Sequence, residues 1–288
     1  MNRIGILSGV AASAIWGGMY VVSKVVMEVI PPFTLLTLRL VLGTLTLWII
    51  TLFTSGIGFT RKQLLQVLGV GWVGYGVSLG FQFVGTKLST ASNGALVTSS
   101  TPAFVILFAA VILREQITRR KLLALAVSTL GVLAVIDPRS AKISPDFFWG
   151  NLSLVAAAIT WALYSVLIRK VTRSLDTLRV SLVAFWGGML VTIPAGWWEI
   201  SRLGIGEITP GIVWGILFLG IISTALAMYL WNTAFATLEA GVASLTLFAQ
   251  PVVGAGLAAI FLEEHLNPAF LIGGVLICLG LWLAASEK

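Results

Sequence analysis

Three charges interrupt an otherwise apolar interior: Lys24, Glu28 and Arg39. A charge held in lipid needs a partner, so each points to a bound ion or an internal pair. Lys24 and Glu28 stand four residues apart, the spacing of a helical ion pair, although a lysine also reaches the interface by snorkelling. Arg39 enters its apolar stretch by ~9 Å, at about 1.5 Å per residue. Its planar fork either holds a substrate carboxylate or phosphate bidentately or clamps Glu28; both readings stand. Asp137, Asp146 and Asp176 fall at helix ends or in loops, and His265 is the only histidine. That inventory argues against a buried aspartate pair, a Ser–His pair or a His/Glu metal set, so neither catalysis, a metal nor a cofactor is expected. Cys278, the only cysteine, forms no internal disulfide and reads as a small buried hydrophobe.

The second set of candidates is aromatic and polar. Trp16 and Trp161 fall midway along apolar stretches, where an interface role does not explain them. Tyr20 and Tyr164 follow at i+4 and i+3, on the same face. Rings with a hydrogen-bonding tip suit an amphipathic ligand, with simple packing as the alternative. VTSSTP (Val97 to Pro102) and LFAQP (Leu247 to Pro251) each contain a proline that frees a carbonyl one turn back, on Thr98 and Leu247. In lipid such groups are tolerated only beside protein, water or a ligand. Ser99, Ser100 and Gln250 stand at these kinks at Pro102 and Pro251, turned toward a ligand or back onto their own helices. Tyr75, Ser78, Gln82, Thr224, Tyr229 and Asn232 are further cavity candidates. Glu115 and Glu264 end two stretches, against the helix dipole. Each is expected to accept from backbone N–H groups at the start of the next helix and so brace a turn. GVGWVG (Gly69 to Gly74) and GVSLG (Gly76 to Gly80) match nucleotide-binding and hydrolase patterns, but both lie inside one apolar stretch, where small residues serve helix packing.

The elements that must position these residues follow from composition. Of 288 residues, 58% are hydrophobic and 10% charged, with a mean hydropathy of +1.02. A soluble domain carries about 25% charge, so the solvent of this chain is lipid. Charges and breakers leave ten apolar stretches, near 4–27, 33–54, 63–84, 90–113, 121–137, 149–171, 178–199, 210–235, 240–262 and 268–286. Each is long enough, or nearly so, for a membrane helix of about 20 residues. The opening segment imitates a signal peptide and is read as the first, uncleaved helix. The net charge of +7 reflects basic loops rather than nucleic-acid binding. With the N-terminus in the cytoplasm, twelve Lys and Arg fall on that side, against Lys87, Arg139, Lys142 and Arg202 on the other. Both termini are therefore expected in the cytoplasm, in a bacterial inner membrane. The chain is expected to be a monomer, with a dimer as the alternative.

The chain also repeats itself. LSGVAASAIW (Leu7 to Trp16) returns 145 positions later as LSLVAAAITW (Leu152 to Trp161), with six of ten residues identical. TPAFVILFAAVILREQI (Thr101 to Ile117) aligns with QPVVGAGLAAIFLEEHL (Gln250 to Leu266), matching Pro102 to Pro251 and Glu115 to Glu264. Residues 1–137 and 149–288 thus read as two five-helix repeats joined by a loop at 138–148. Five is odd, so the second enters the membrane inverted, a transporter architecture with its site between the repeats. Trp16, Arg39, the doubled Pro…Glu pattern and the closing runs GIISTALAMYLWNTAF and LIGGVLICLGL resemble the EamA-type drug/metabolite transporters. The resemblance implies ten helices around a central cavity and export of small metabolites, often amino acids. Trp16 stands where the related small multidrug resistance transporters carry a mid-helix glutamate, which argues against proton coupling by that route. An exchanger of anionic metabolites is the alternative; an integral-membrane enzyme and a passive channel are remoter ones.

Overall fold

The computed structural model describes residues 2–54, 58–89, 94, 97–136, 147–261 and 268–286. The connecting loop at 138–148 falls largely outside these residues, and Glu264 and His265 fall wholly outside them. Among the described residues every regular element is helical. We label them α1 (Arg3–Val26), α2 (Pro32–Thr54), α3 (Arg61–Leu88), α4 (Thr101–Leu113), α5 (Arg119–Ile136), α6 (Phe148–Thr172), α7 (Thr177–Leu203) and α8 (Pro210–Thr237). Three consecutive pieces, Ala240–Leu245, Thr246–Phe248 and Ala249–Phe261, form α9, and Pro268–Ala285 is α10. Six of them, α1, α2, α3, α6, α7 and α8, are long and apolar enough to cross a membrane.

Local chemistry sets the boundaries. The Asn2 side chain accepts from the Ile4 amide and starts α1. Thr60 and Gln63 form a reciprocal capping box at α3. Proline occupies the first turn of α2, α4, α8 and α10, where its missing N–H has no helical partner to lose. Arg114 ends α4 in the left-handed region, at φ 58°. Both α3 and α8 widen midway into π-helix, over Trp72–Ser78 and Phe218–Leu226. Such turns collect at functional sites.

Lipid removes the hydrophobic drive between helices, so close packing and hydrogen bonds must join them. The most extensive packings are α5 on α10, α3 on α6, α3 on α7, α1 on α8 and α2 on α7. Exchanging α1–α5 for α6–α10 keeps α5–α10 and α2–α7 and interchanges α3–α6 with α1–α8, while α3–α7 maps onto the less extensive α2–α8. Trp149, Trp197, Trp198 and Trp214 are exposed near helix ends and Trp72 is exposed midway along α3, whereas Trp16, Trp161 and Trp231 are buried. Cys278 is exposed, a correction to its expected burial. Its neighbour Ile277 faces Gly131 of α5 and is buried, which turns the cysteine outward.

The glycines of the nucleotide-like motif lie at a helix crossing. A Cβ on Gly71 would stand 1.9 Å from the Ala184 carbonyl oxygen of α7, and one on Gly187 2.1 Å from the Leu68 carbonyl oxygen. A Cβ on Gly69 meets no atom within 4 Å. Gly71→Ala is therefore expected to destabilise the protein by about 1–3 kcal/mol through overpacking, read as a lower melting midpoint in detergent. Gly69→Ala should leave the midpoint unchanged or raise it; equal loss in both variants would contradict the close approach of α3 and α7.

Candidate functional site

The repeated tryptophans face each other. The Trp16 and Trp161 rings stand 5.7 Å apart at 80°, edge to face. Trp231 of α8 completes the group at 5.3 Å and 6.2 Å. Trp16 is oriented by its indole N–H, which donates to the Ser223 carbonyl at 3.0 Å. Ser223 lies in the π segment of α8, where the Thr224 hydroxyl bonds back five residues to the Leu219 carbonyl.

Trp16 and Trp161 form one wall of a cavity of about 40 Å³ in this conformation, small beside the roughly 300–1,000 Å³ of an open small-molecule site. Ala157 and Ala158 open space one turn before Trp161, and Met19, Met228 and Leu247 extend the apolar lining. The opposite wall is polar. Tyr20 accepts from Gln82 Nε2 at 2.7 Å and pairs with the Thr98 hydroxyl at 3.2 Å. Gln250 Nε2 lies 3.5 Å from the Trp16 carbonyl. Ser78 lines the cavity while donating to the Ala157 carbonyl at 2.9 Å, so it also ties α3 to α6. Two lining atoms, Gln82 Oε1 and Thr101 Oγ1, are buried without a hydrogen-bond partner among the described residues. The cavity thus combines an aromatic wall with uncharged polar groups, two of whose atoms lack a hydrogen-bond partner among the described residues.

Five of the eight expected substrate-binding residues line this cavity: Trp16, Tyr20, Ser78, Trp161 and Gln250. Tyr75, Tyr164 and Ser99 do not. The Tyr75 and Tyr164 hydroxyls bond each other and Asn232, whose amide also donates to Ser181 at 2.9 Å. With their hydroxyls committed behind Trp161, these tyrosines brace the aromatic wall from outside. Ser100, at the Pro102 break, is exposed and turns its hydroxyl back to the Val97 carbonyl. The 3-10 segment Thr246–Phe248 lies one turn before Pro251. Met19 and Thr101, missed from the sequence, sit one residue from Tyr20 and from Pro102.

Arg39 corrects the clamp reading. Glu28 is exposed, whereas Arg39 is wholly buried and makes no ion pair among the described residues. Its Nε donates to Thr224 Oγ1 at 3.0 Å. Nη2 reaches Ser223 Oγ at 3.4 Å and Met19 Sδ at 3.6 Å, and the guanidinium lies over the Phe83 ring at 4.9 Å. Nη1 has no partner among the described residues. Sharing Ser223 with Trp16 places Arg39 at the tryptophan level rather than nearer the surface. Lys24 likewise leaves Glu28 aside: it donates to the Thr86 and Ser89 carbonyls at the end of α3, both at 3.1 Å. Arg169, 145 positions on, donates in the same way to the Phe235 carbonyl near the end of α8 at 2.8 Å.

Glu115 is corrected too. It caps α9, not the next helix α5, accepting from the Ala240 and Gly241 amides at 2.9 and 3.3 Å and from Arg169 Nε at 3.0 Å. The left-handed turn at Arg114 releases the chain from α4 just before it. Glu199 of α7, missed from the sequence, caps α2 through the Phe33 and Thr34 amides at 2.7 and 3.0 Å.

Thr224→Val removes the one short acceptor of Arg39 while keeping the side chain's shape. It is expected to cost about 1–3 kcal/mol, because a buried charged donor loses its partner. Glu28→Gln should leave the melting midpoint in detergent unchanged. An equal fall for Glu28→Gln would restore the clamp.

The model of the EamA-like transporter family matches twice, at residues 3–136 and 148–286. The uncharacterized transporter YetK of Bacillus subtilis (strain 168) is 26% identical over 96% of this chain and 86% of its own length. A probable amino-acid metabolite efflux pump of Salmonella typhimurium (strain LT2) is 27% identical over 93% of this chain and 90% of its own. A probable biotin transporter of Pseudomonas aeruginosa is 29% identical over 75% and 76%. A solved crystal structure at 21% identity superposes with a TM-score of 0.81 over 98% of both chains, a likeness of fold. With apolar helices long enough to cross a bilayer and a family model covering nearly its whole length, the chain is a multi-pass membrane protein of the EamA-like transporter family, a transporter and not an enzyme.

Proposed function

We propose that this protein is a secondary transporter that exports small amphipathic metabolites, amino acids foremost, by alternating access. The observation that carries this reading is the cavity between Trp16 and Trp161, residues that occupy corresponding places in the two family matches. An apolar side chain rests against the indole edges, and the polar part of the solute meets Gln82 Oε1 and Thr101 Oγ1. An amino acid sets its one carboxylate toward one arginine and its ammonium toward uncharged acceptors such as Gln82 Oε1, whereas a phosphorylated anion brings two negative charges to that single cation.

Ten spans, arranged as two inverted five-helix repeats at 1–137 and 149–288, supply two similar-energy forms opening to opposite sides. The interchangeable α1–α8 and α3–α6 packings support this, as do the paired π segments of α3 and α8 and the equivalent contacts of Lys24 and Arg169. The excess of Lys and Arg on one side supports cytoplasmic termini in an inner membrane.

The test is counterflow of labelled phenylalanine, leucine and tryptophan in liposomes holding the purified protein. Trp161→Ala is expected to weaken apparent affinity about tenfold, the scale of a lost aromatic contact plus its apolar area, while folded yield is kept. A variant that folds and transports normally would remove Trp161 from the site and this reading with it.

A further inference from the structure

Taking the cavity as the transport site, we infer that Arg39 is its carboxylate-recognising group, screened in this conformation by the side chain of Met19. The solutes it selects therefore carry a carboxylate beside their apolar part.

Arg39 is fully buried, yet among the described residues no carboxylate lies against it. An uncompensated guanidinium at membrane depth is unfavourable, and a charge so placed marks a substrate or ion path. Its surroundings divide unevenly. Nε is firmly held by Thr224 at 3.0 Å, and Phe83 supports one face. These contacts fix the plane of the fork. The outer edge is held weakly: Nη2 has a long contact to Ser223 Oγ and one to the thioether of Met19, and Nη1 has no partner among the described residues. A thioether is a weak acceptor on an unbranched, adaptable side chain. The group is oriented for an acceptor that is not a protein carboxylate.

Met19 connects this edge to the cavity. Its side chain lines the cavity wall and also receives Nη2. Rotating it aside exposes Nη1 and Nη2 to the space between Trp16 and Tyr20. A carboxylate entering there accepts two parallel bonds and neutralises the charge. Gln82 Oε1, also unpaired, is an acceptor for an N–H of the same solute. One cation matches one carboxylate.

The test uses acid and amide pairs sharing one apolar group: L-phenylalanine with L-phenylalaninamide, and L-leucine with L-leucinamide. Binding is read from tryptophan fluorescence of protein in nanodiscs, and transport from counterflow in liposomes. The wild type is expected to favour each acid by about tenfold or more, the scale of a charge-assisted pair. Arg39→Lys keeps the charge but loses the fork, so the preference should collapse. Met19→Ala should raise the preference for each acid over its amide, whatever the common change from the lost apolar contact. Equal binding of acid and amide in the wild type, or a preference that survives in Arg39→Lys, overturns the assignment of Arg39 alone. If Arg39→Lys does not fold, Met19→Ala decides, and an equal change for acid and amide overturns it. Failure of every probe to bind or move overturns the transport reading of the cavity together with this assignment.

Discussion

A guanidinium with no carboxylate beside it among the described residues is the constraint around which the centre of this protein is arranged. Arg39 stands on α2, but the groups that hold it come from α1, α3 and α8: Met19, Phe83, Ser223 and Thr224. The π segment of α8 brings Ser223 and Thr224 together to Arg39, the Thr224 hydroxyl donating back to the Leu219 carbonyl while accepting from Nε, and offers the Ser223 carbonyl to Trp16. The buried charge and the aromatic wall therefore share one residue, and a shift of the π turn moves both. In the proposed cycle, that shared residue couples an anion at Arg39 to the helices that line the cavity.

The ends of the helices solve a different problem. Terminal amides and carbonyls lack helical partners, and few charges are present to satisfy them. Four charges near the bundle ends serve such termini. Glu199 receives the first amides of α2, Glu115 those of α9, Lys24 the last carbonyls of α3 and Arg169 one near the end of α8. Carboxylates thus meet helix N-termini and cations meet C-termini, the favourable sense of the dipole. Each such contact joins helices distant in sequence, so the ends are fastened while the centre stays lined by uncharged groups. Glycine contacts such as Gly71 on Ala184 supply the backbone approach between them.

Much of this was legible in the sequence, for a physical reason. Lipid demands apolar helices, so composition exposes the elements, and an internal repeat marks residues twice. Trp16 and Trp161 were visible because each copy carries one at the same place. Partners across the bundle were not. Lys24, Glu28 and Arg39 looked like one cluster because they are near in sequence, yet Lys24 and Arg39 find acceptors on α3 and α8, 62 to 185 positions away. Tyr164 shares a helix face with Trp161 but is taken up by Tyr75 and Asn232, which no spacing rule reveals. Met19 was overlooked because a methionine in an apolar run carries no signal of its own; its role follows only from touching Arg39 and the cavity together.

The most direct test of this account is an experimental structure of the protein in a nanodisc with 4-bromophenylalanine, whose bromine is located by anomalous or density contrast. The expected result has the bromine against Trp16 and Trp161, the carboxylate within hydrogen-bond distance of Arg39 Nη1 and Nη2, about 3 Å, and the Met19 side chain rotated off the guanidinium. A carboxylate bound to Arg169 or Lys121 at the bundle end, with Met19 still on Arg39, would contradict it.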